Sequence, residues 1–211
     1  MDEPRLYGSD YSVYVRIVRL CLLEKGVDHH LLPVDVFAPG GPPEDHFLRH
    51  PFGRIPAFEH GEFSLYETGA ISRYVDEAFE GPPLQPSDSI GRARCNQLIS
   101  IADNYVYPDL VWGIYVERVS KPEQGIATDH DKVEAAVASG RRCLAAIDAL
   151  MRDGPWLVGQ GPTLADLYLA PMMDYLLMTA EGRELIRPHA ALEQWWSRMA
   201  SRPSMTATAP G

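Results

Sequence analysis

Six residues, Pro51-Phe52-Gly53-Arg54-Ile55-Pro56, restrict this chain more than any other stretch. A proline cannot donate to a sheet ladder, so Pro56 belongs at the start of an edge strand. The strand it opens, Pro56 to Glu59, faces a second, Glu62 to Leu65, across His60-Gly61, which is a hairpin signal. Eleven residues after Pro56, Glu67-Thr68 opens a helix with an acid and a hydroxyl. The sequence therefore predicts an extended edge beside a helix N-terminus. That pairing suits an extended ligand that ends in a charged group.

The elements before the hairpin complete a small mixed sheet. Residues 4–7 read as a strand stopped by Gly8. Ser12 then caps a mostly apolar helix that ends at Lys25-Gly26, a basic last turn followed by glycine. His29 to Val36 alternates as a strand, Pro39-Gly40-Gly41-Pro42-Pro43 is a loop, and Glu44 to His50 has room for one or two helical turns. Glu67 to Phe79 is helical, with Ala70, Ile71, Tyr74, Val75 and Phe79 on one face. A parallel pair joined by a helix, then a hairpin and a helix, is the thioredoxin-like α/β pattern.

Beyond Glu80-Gly81-Pro82-Pro83-Leu84-Gln85-Pro86 every signal is helical. A helix capped by Ser87 or Asp88 runs past Tyr115 with an expected kink at Pro108. Three more cover Asp129 to Met151, a stretch begun at Thr163 and apolar through Met178, and Ala190 to Ser201. Residues 1–80 thus read as the α/β domain, 81–87 as a linker and 88–211 as an all-α helical bundle domain, with Pro203 to Gly211 as a frayed tail.

The proline edge and Glu67-Thr68, with the opening Leu6-Tyr7-Gly8-Ser9-Asp10-Tyr11-Ser12, together resemble the cytosolic glutathione transferases. The nearest members are the serine-type, phi-like ones of plants and bacteria. Gly161-Pro162-Thr163-Leu164-Ala165-Asp166 resembles the family's C-terminal capping motif, so the resemblance spans nearly the whole chain. It implies an enzyme that activates the thiol of glutathione, a co-substrate, for attack on a small apolar electrophile. No metal or other cofactor is implied. The same scaffold also serves relatives that cleave ethers or isomerise, and non-catalytic binding proteins.

The resemblance assigns the residues. Ser12 is the catalytic candidate, with Tyr7 and Ser9 as rivals. The cysteinyl backbone would pair at Ile55, ahead of a cis Pro56. A γ-glutamyl group carries an α-carboxylate for the Thr68 end of the helix and an α-ammonium for Glu67. Arg73 would support that acid from behind. Members of this class hold the glycyl carboxylate with a His-Lys pair, but Gly41 and Pro42 stand at those positions, leaving Arg54 as the substitute. The electrophile is expected between the domains, against Tyr11, Tyr107, Val111, Trp112 and Tyr115, with Met172 and Met173 on another helix. Phe52 is the aromatic that plugs a partner subunit in several classes, which implies a homodimer.

Composition excludes other readings. With a formal net charge of -10, the chain lacks the basic footprint of a nucleic-acid binder. Its overall field repels anions, so an anion site has to be built locally. Three cysteines, odd in number and far apart, make no disulfide framework, and the seven histidines show no metal-ligand spacing. No apolar run reaches membrane-spanning length, and a cytoplasmic location is the expectation.

Overall fold

The computed structural model describes residues 3–151 and 154–210. They form two compact units, one of Met1–Leu84 with Pro203–Gly211 and the other of Gln85–Arg202.

In the first unit, β1 (Arg5–Tyr7), α1 (Val13–Glu24), β2 (His30–Leu32), α2 (His46–Arg49), β3 (Ala57–His60), β4 (Phe63–Tyr66) and α3 (Thr68–Ala78) follow in the expected order. The sheet runs β2-β1-β3-β4, with β1 and β2 parallel and the other pairs antiparallel. It is a thioredoxin-like sheet, with the core formed by Leu6 and Phe58 from the strands, Ile17, Leu20 and Leu22 from α1, and Ile71 and Val75 from α3. Each such side chain, fully buried, contributes about 1.5–3 kcal/mol.

Several expectations change here. β2 ends at Leu32 rather than Val36, because Pro33 has no N–H for the ladder. β3 is an inner strand paired on both sides, not an edge. Pro56 keeps clear of the ladder because pairing starts one residue later, at Ala57 opposite Tyr7. The hairpin loop is Gly61-Glu62, with Gly61 at φ +61° where a type II′ turn places a glycine.

The tail changes as well. Residues 203–207 form a short helix, α10 (Pro203–Ala207), and Ser204, Met205 and Thr208 are buried. They lie along α1: Arg16 Nε donates to Thr208 Oγ1 at 3.2 Å and its Nη2 to the Met205 carbonyl at 3.2 Å. Arg19 Nη2 reaches the Ala207 carbonyl at 3.1 Å, and Ser204 Oγ donates to Glu24 Oε1 at 2.5 Å. At the other end of α1, the buried Lys25 ammonium donates to the Asp76 carbonyl (3.0 Å) and carboxylate (3.3 Å). That carboxylate also accepts from the Leu84 N–H at 2.7 Å. The stretch 81–84, expected in a linker, is thereby tied to the α/β unit.

The second unit is helical. Asp88 caps α4 (Ser89–Ile101) by accepting from the Gly91 N–H at 2.8 Å. The run continues through Ala102–Ser120 to α5 (Lys121–Glu123). Around Pro108 the helix widens to π geometry, and at its end the Lys121 N–H bonds the Val116 carbonyl five residues back. Then come α6 (His130–Met151), α7 (Leu164–Leu177), α8 (Ala180–Ile186) and α9 (Ala190–Ala200). α8 escaped the sequence reading because it has only seven residues, and its cap is the small Thr179-to-Gly182 contact of 3.0 Å.

Two buried carboxylates organise this unit. Asp166, fully buried, accepts from the Leu157 N–H (2.9 Å), the Thr163 N–H (2.7 Å) and hydroxyl (2.8 Å), and Trp195 Nε1 (2.8 Å). Glu117 accepts from Lys121 Nζ at 2.7 Å, Lys132 Nζ at 2.9 Å and the Asp129 N–H at 3.0 Å. Burial pushes the Glu117 carboxyl up, but the bonds from Lys121 and Lys132 outweigh it and bring it down to about 2.

A depressed carboxyl stabilises the fold above its unfolded pKa and loses that contribution as pH falls through the folded one. Glu117→Gln should therefore lower stability by about 2–4 kcal/mol at pH 7, since two cations lose their acceptor. In denaturant melts the gap from wild type should hold down to about pH 4.3 and close as pH approaches 2. A gap that widens on acidification contradicts this account.

Candidate functional site

The β1–α1 turn and the Ile55 loop lie against each other because residue 8 is glycine. A Cβ on Gly8 would stand 2.3 Å from Val15 Cγ2 and 3.4 Å from Ile55 Cβ. Val15 is β-branched and stiff, so no larger residue fits without opening the turn. The approach brings the start of α1 up to the residue that precedes Pro56.

Ser12 is the N-cap of α1, in extended conformation (φ -77°, ψ 122°). Its Oγ accepts from the Val15 N–H at 3.4 Å, its carbonyl accepts from the Arg16 N–H at 2.9 Å, and its N–H donates to the Ser9 carbonyl at 3.1 Å. Among the described residues, no acceptor takes the Ser12 hydroxyl proton. Its neighbours differ. Ser9 Oγ donates to the Val34 carbonyl at 2.6 Å. Tyr7 donates to Glu59 Oε2 at 2.7 Å, with the Arg49 guanidinium 4.5 Å over its ring. Burial and then the Glu59 bond push the Tyr7 phenol above its ordinary value. Tyr11 donates to Asp35 Oδ1 at 2.7 Å and packs against Phe37. Burial and that bond push it up to about 12.

The Ile55–Pro56 bond is cis. Pro56 is buried, and Ile55, half-buried, precedes the paired residues of β3. The loop is held from below by the buried His46, whose Nε2–H donates to the Arg54 carbonyl at 2.7 Å. His46 is a site residue the sequence reading missed, since a histidine eight residues from its partner leaves no local signal. Gly53, at φ +60°, brings the loop over Phe47 and within 3.5 Å of Pro42, measured from where its Cβ would be. The Arg54 side chain is exposed beside this loop.

Glu67 has the backbone strain of the site. It is the non-glycine residue with positive φ (φ 70°, ψ 114°) among those described. Such a conformation costs on the order of 1–3 kcal/mol and is kept where the surroundings over-determine it. Its carbonyl accepts from the Ala70 and Ile71 N–H groups at 2.9 and 3.0 Å, so it is the N-cap of α3, and its carboxylate is exposed. Thr68, buried, is the first helical residue. Arg73 donates to the Gly69 carbonyl at 2.8 Å and braces this first turn.

The remaining predicted residues sit in the helical unit. Tyr107 and Trp112 meet edge-on with centroids 6.4 Å apart, and Trp112 is 37% exposed. Tyr115 packs on Tyr175 at 4.5 Å. Val111 is buried, and Met172 and Met173 are fully enclosed. Those two methionines are core, as apolar residues at helical spacing usually are.

The comparisons with known proteins now bear on this geometry. The profile of the glutathione S-transferase N-terminal domain matches residues 6–83, and that of the C-terminal domain residues 106–203. Glutathione S-transferase F7 of Arabidopsis thaliana is 31% identical over 210 residues, 97% of this chain and 98% of its own. This chain belongs to the glutathione S-transferase family. Among solved structures, glutathione transferase F7 from Populus trichocarpa is similar at 27% identity, with a TM-score of 0.86 and 97% of each chain covered. A glutathione S-transferase I bound with lactoylglutathione is similar at 25% identity, with a TM-score of 0.87 and 99% of each chain covered. No helix among the described residues is long and apolar enough to cross a membrane.

Proposed function

We propose that this glutathione transferase activates the thiol of bound glutathione with Ser12 and adds the thiolate to an apolar electrophile. One observation carries the choice of Ser12. Of the hydroxyls of Tyr7, Ser9, Tyr11 and Ser12, the first three are given to Glu59, Val34 and Asp35, while the Ser12 proton has no acceptor among the described residues. A free thiol has a pKa of about 8.5. A charge-assisted bond from Ser12 to the sulfur is worth about 1.5–3 kcal/mol, which lowers that pKa by roughly one to two units. The N-terminus of α1 adds about 0.3–1 kcal/mol. The thiol proton leaves to solvent, and the Ser12 O–H stays on oxygen and holds the anion. The sulfur lone pair then forms the C–S bond as the bond to the electrophile's leaving group breaks, or as its π pair shifts to the neighbouring atom, which takes a proton from solvent.

The cysteinyl backbone pairs with Ile55, which stands free of the ladder. The γ-glutamyl carboxylate meets Thr68 and the N-terminus of α3, and its ammonium meets the exposed Glu67 carboxylate. The strained Glu67 backbone supports this reading, since it holds the acid at the mouth of the helix. Arg54 takes the glycyl carboxylate, because the Gly40-Gly41-Pro42 loop beside it has no side-chain donor.

Ser12→Ala should fold and bind glutathione, and raise the apparent thiol pKa by one to two units toward the free value, about 8–25-fold less thiolate at pH 7. Tyr7→Phe should leave that pKa where it is. The pH dependence of conjugation to an activated aryl halide decides it, and a shift with Tyr7→Phe but not with Ser12→Ala would move the role to Tyr7. Arg54→Ala should weaken glutathione by about 1.5–3 kcal/mol. It should leave γ-glutamylcysteine amide, which lacks that carboxylate, unchanged in calorimetry. Equal losses for both ligands contradict a carboxylate contact.

A homodimer follows from the same loop. Phe52 is 68% exposed, with His50 and Tyr66 edge-on to its ring, and Phe47 and Leu48 of α2 are also exposed. An aromatic this far out of its own core is suited to a pocket on a second copy, where truncation costs about 2 kcal/mol or more. Phe52→Ser should shift the protein toward monomer in sedimentation at micromolar concentration. A mutant that associates as tightly as wild type removes Phe52 from the interface.

A further inference from the structure

We propose that Arg16, gripped by the C-terminal strap of residues 203–208, is a positioning residue for Ser12. The inference rests on Ser12 as the thiol activator and adds what holds it in place. Arg16 is 1% exposed on a helix whose other buried residues nearby, Val13, Val15, Ile17 and Val18, are apolar. Burying a guanidinium is costly unless its donors are used. The donors reach across 192 residues of sequence to Thr208 Oγ1 and 189 to the Met205 carbonyl, both at 3.2 Å. Thr208 is itself fixed, since its hydroxyl donates to the Ser204 carbonyl at 2.9 Å.

The placement along α1 gives the contact its consequence. Glu24, Arg19 and Arg16 meet Ser204, Ala207 and then Met205 with Thr208, so the strap lies antiparallel to α1 and ends near its N-terminus. Arg16 is the residue whose N–H closes the first helical turn onto the Ser12 carbonyl, at 2.9 Å. A helix of this length is marginal on its own, and its first turn frays most easily. Among the described residues, the Ser12 Oγ is fixed locally by a long bond of 3.4 Å from the Val15 N–H. The strap pins the turn at Arg16 through a planar, two-pronged donor that a point charge does not replace. Misplacement of a catalytic group by about 1 Å through a distant change can cost on the order of 10²-fold in rate.

The test compares full-length Arg16→Met, Arg16→Lys and Thr208→Val with wild type and with Ser12→Ala. Arg16→Met keeps a stem of similar length and removes the donors. Two readouts are taken with glutathione as ligand: the pH at which the bound thiol ionises, followed by thiolate absorbance, and deuterium exchange across residues 12–20. Arg16→Met should raise the thiol pKa by about one unit, roughly 3–8-fold less thiolate at pH 7. It should speed exchange in the first turn and leave glutathione affinity within about twofold, because Ile55 and Glu67 are untouched. Arg16→Lys should recover part of the shift. Thr208→Val, which removes the acceptor of Arg16 Nε together with the bond to the Ser204 carbonyl and leaves the guanidinium in place, should show a smaller shift in the same direction and serves if Arg16→Met does not fold. A thiol pKa unmoved by Ser12→Ala overturns the serine assignment. A pKa moved by Ser12→Ala but unmoved by folded Arg16→Met or Thr208→Val overturns the strap, even if their melting temperatures fall.

Discussion

The contact on which the site depends is the one at Gly8. A strand that must turn at once into a helix normally keeps a side chain's width from whatever lies opposite. Here that width is absent, and a Cβ would collide with Val15 at 2.3 Å while touching Ile55 at 3.4 Å. The start of α1 and the loop before Pro56 therefore share one surface. Each half is ordinary alone: a serine caps a helix, and a proline precedes a strand. Brought together, the turn that carries a hydroxyl with an uncommitted proton lies against a loop whose Ile55 stays out of the sheet ladder. That is the arrangement an extended thiol peptide needs.

Buried charge holds these pieces in register. Lys25 ties the end of α1 to Asp76, and through it to Leu84. Arg16 and Arg19 tie the body of α1 to residues 205–208. Asp166 gathers the start of α7, Leu157 and Trp195 on one carboxylate, and Glu117 gathers Lys121, Lys132 and Asp129. A buried charge adds little net stability when paired and costs several kcal/mol when orphaned. Its effect is to penalise every arrangement but the one that satisfies it.

What was legible in the sequence was local. Ser12, Asp88 and Thr163 announce helix starts by their own hydrogen bonds, and Gly26 and Gly61 mark a stop and a turn by positive φ. The order of these signals was enough for the thioredoxin-like sheet and the helical bundle, and the cis Pro56 and Glu67-Thr68 motifs were enough to suggest the ligand. What was missed is set by contacts distant in sequence or by a single overlooked residue. Pro33 shortens β2. β1 pairs beyond β3, which turns a presumed edge strand into an inner one. His46 supports the Arg54 carbonyl from another element. The polar tail is ordered because α1 carries two arginines that accept it, and nothing within 203–210 announces that partner. Pro108 was expected to kink its helix, and the structure shows a widened π segment around it.

The central claim is that Ser12 and Ile55 face one bound peptide. A crystal structure of the protein soaked with glutathione tests it most directly. The account predicts the cysteinyl N–H and C=O paired with the backbone of Ile55, the γ-glutamyl group at Glu67-Thr68, and the sulfur at about 3.0–3.5 Å from Ser12 Oγ. A sulfur seated on the Tyr7 hydroxyl, or a peptide bound away from Ile55, contradicts it.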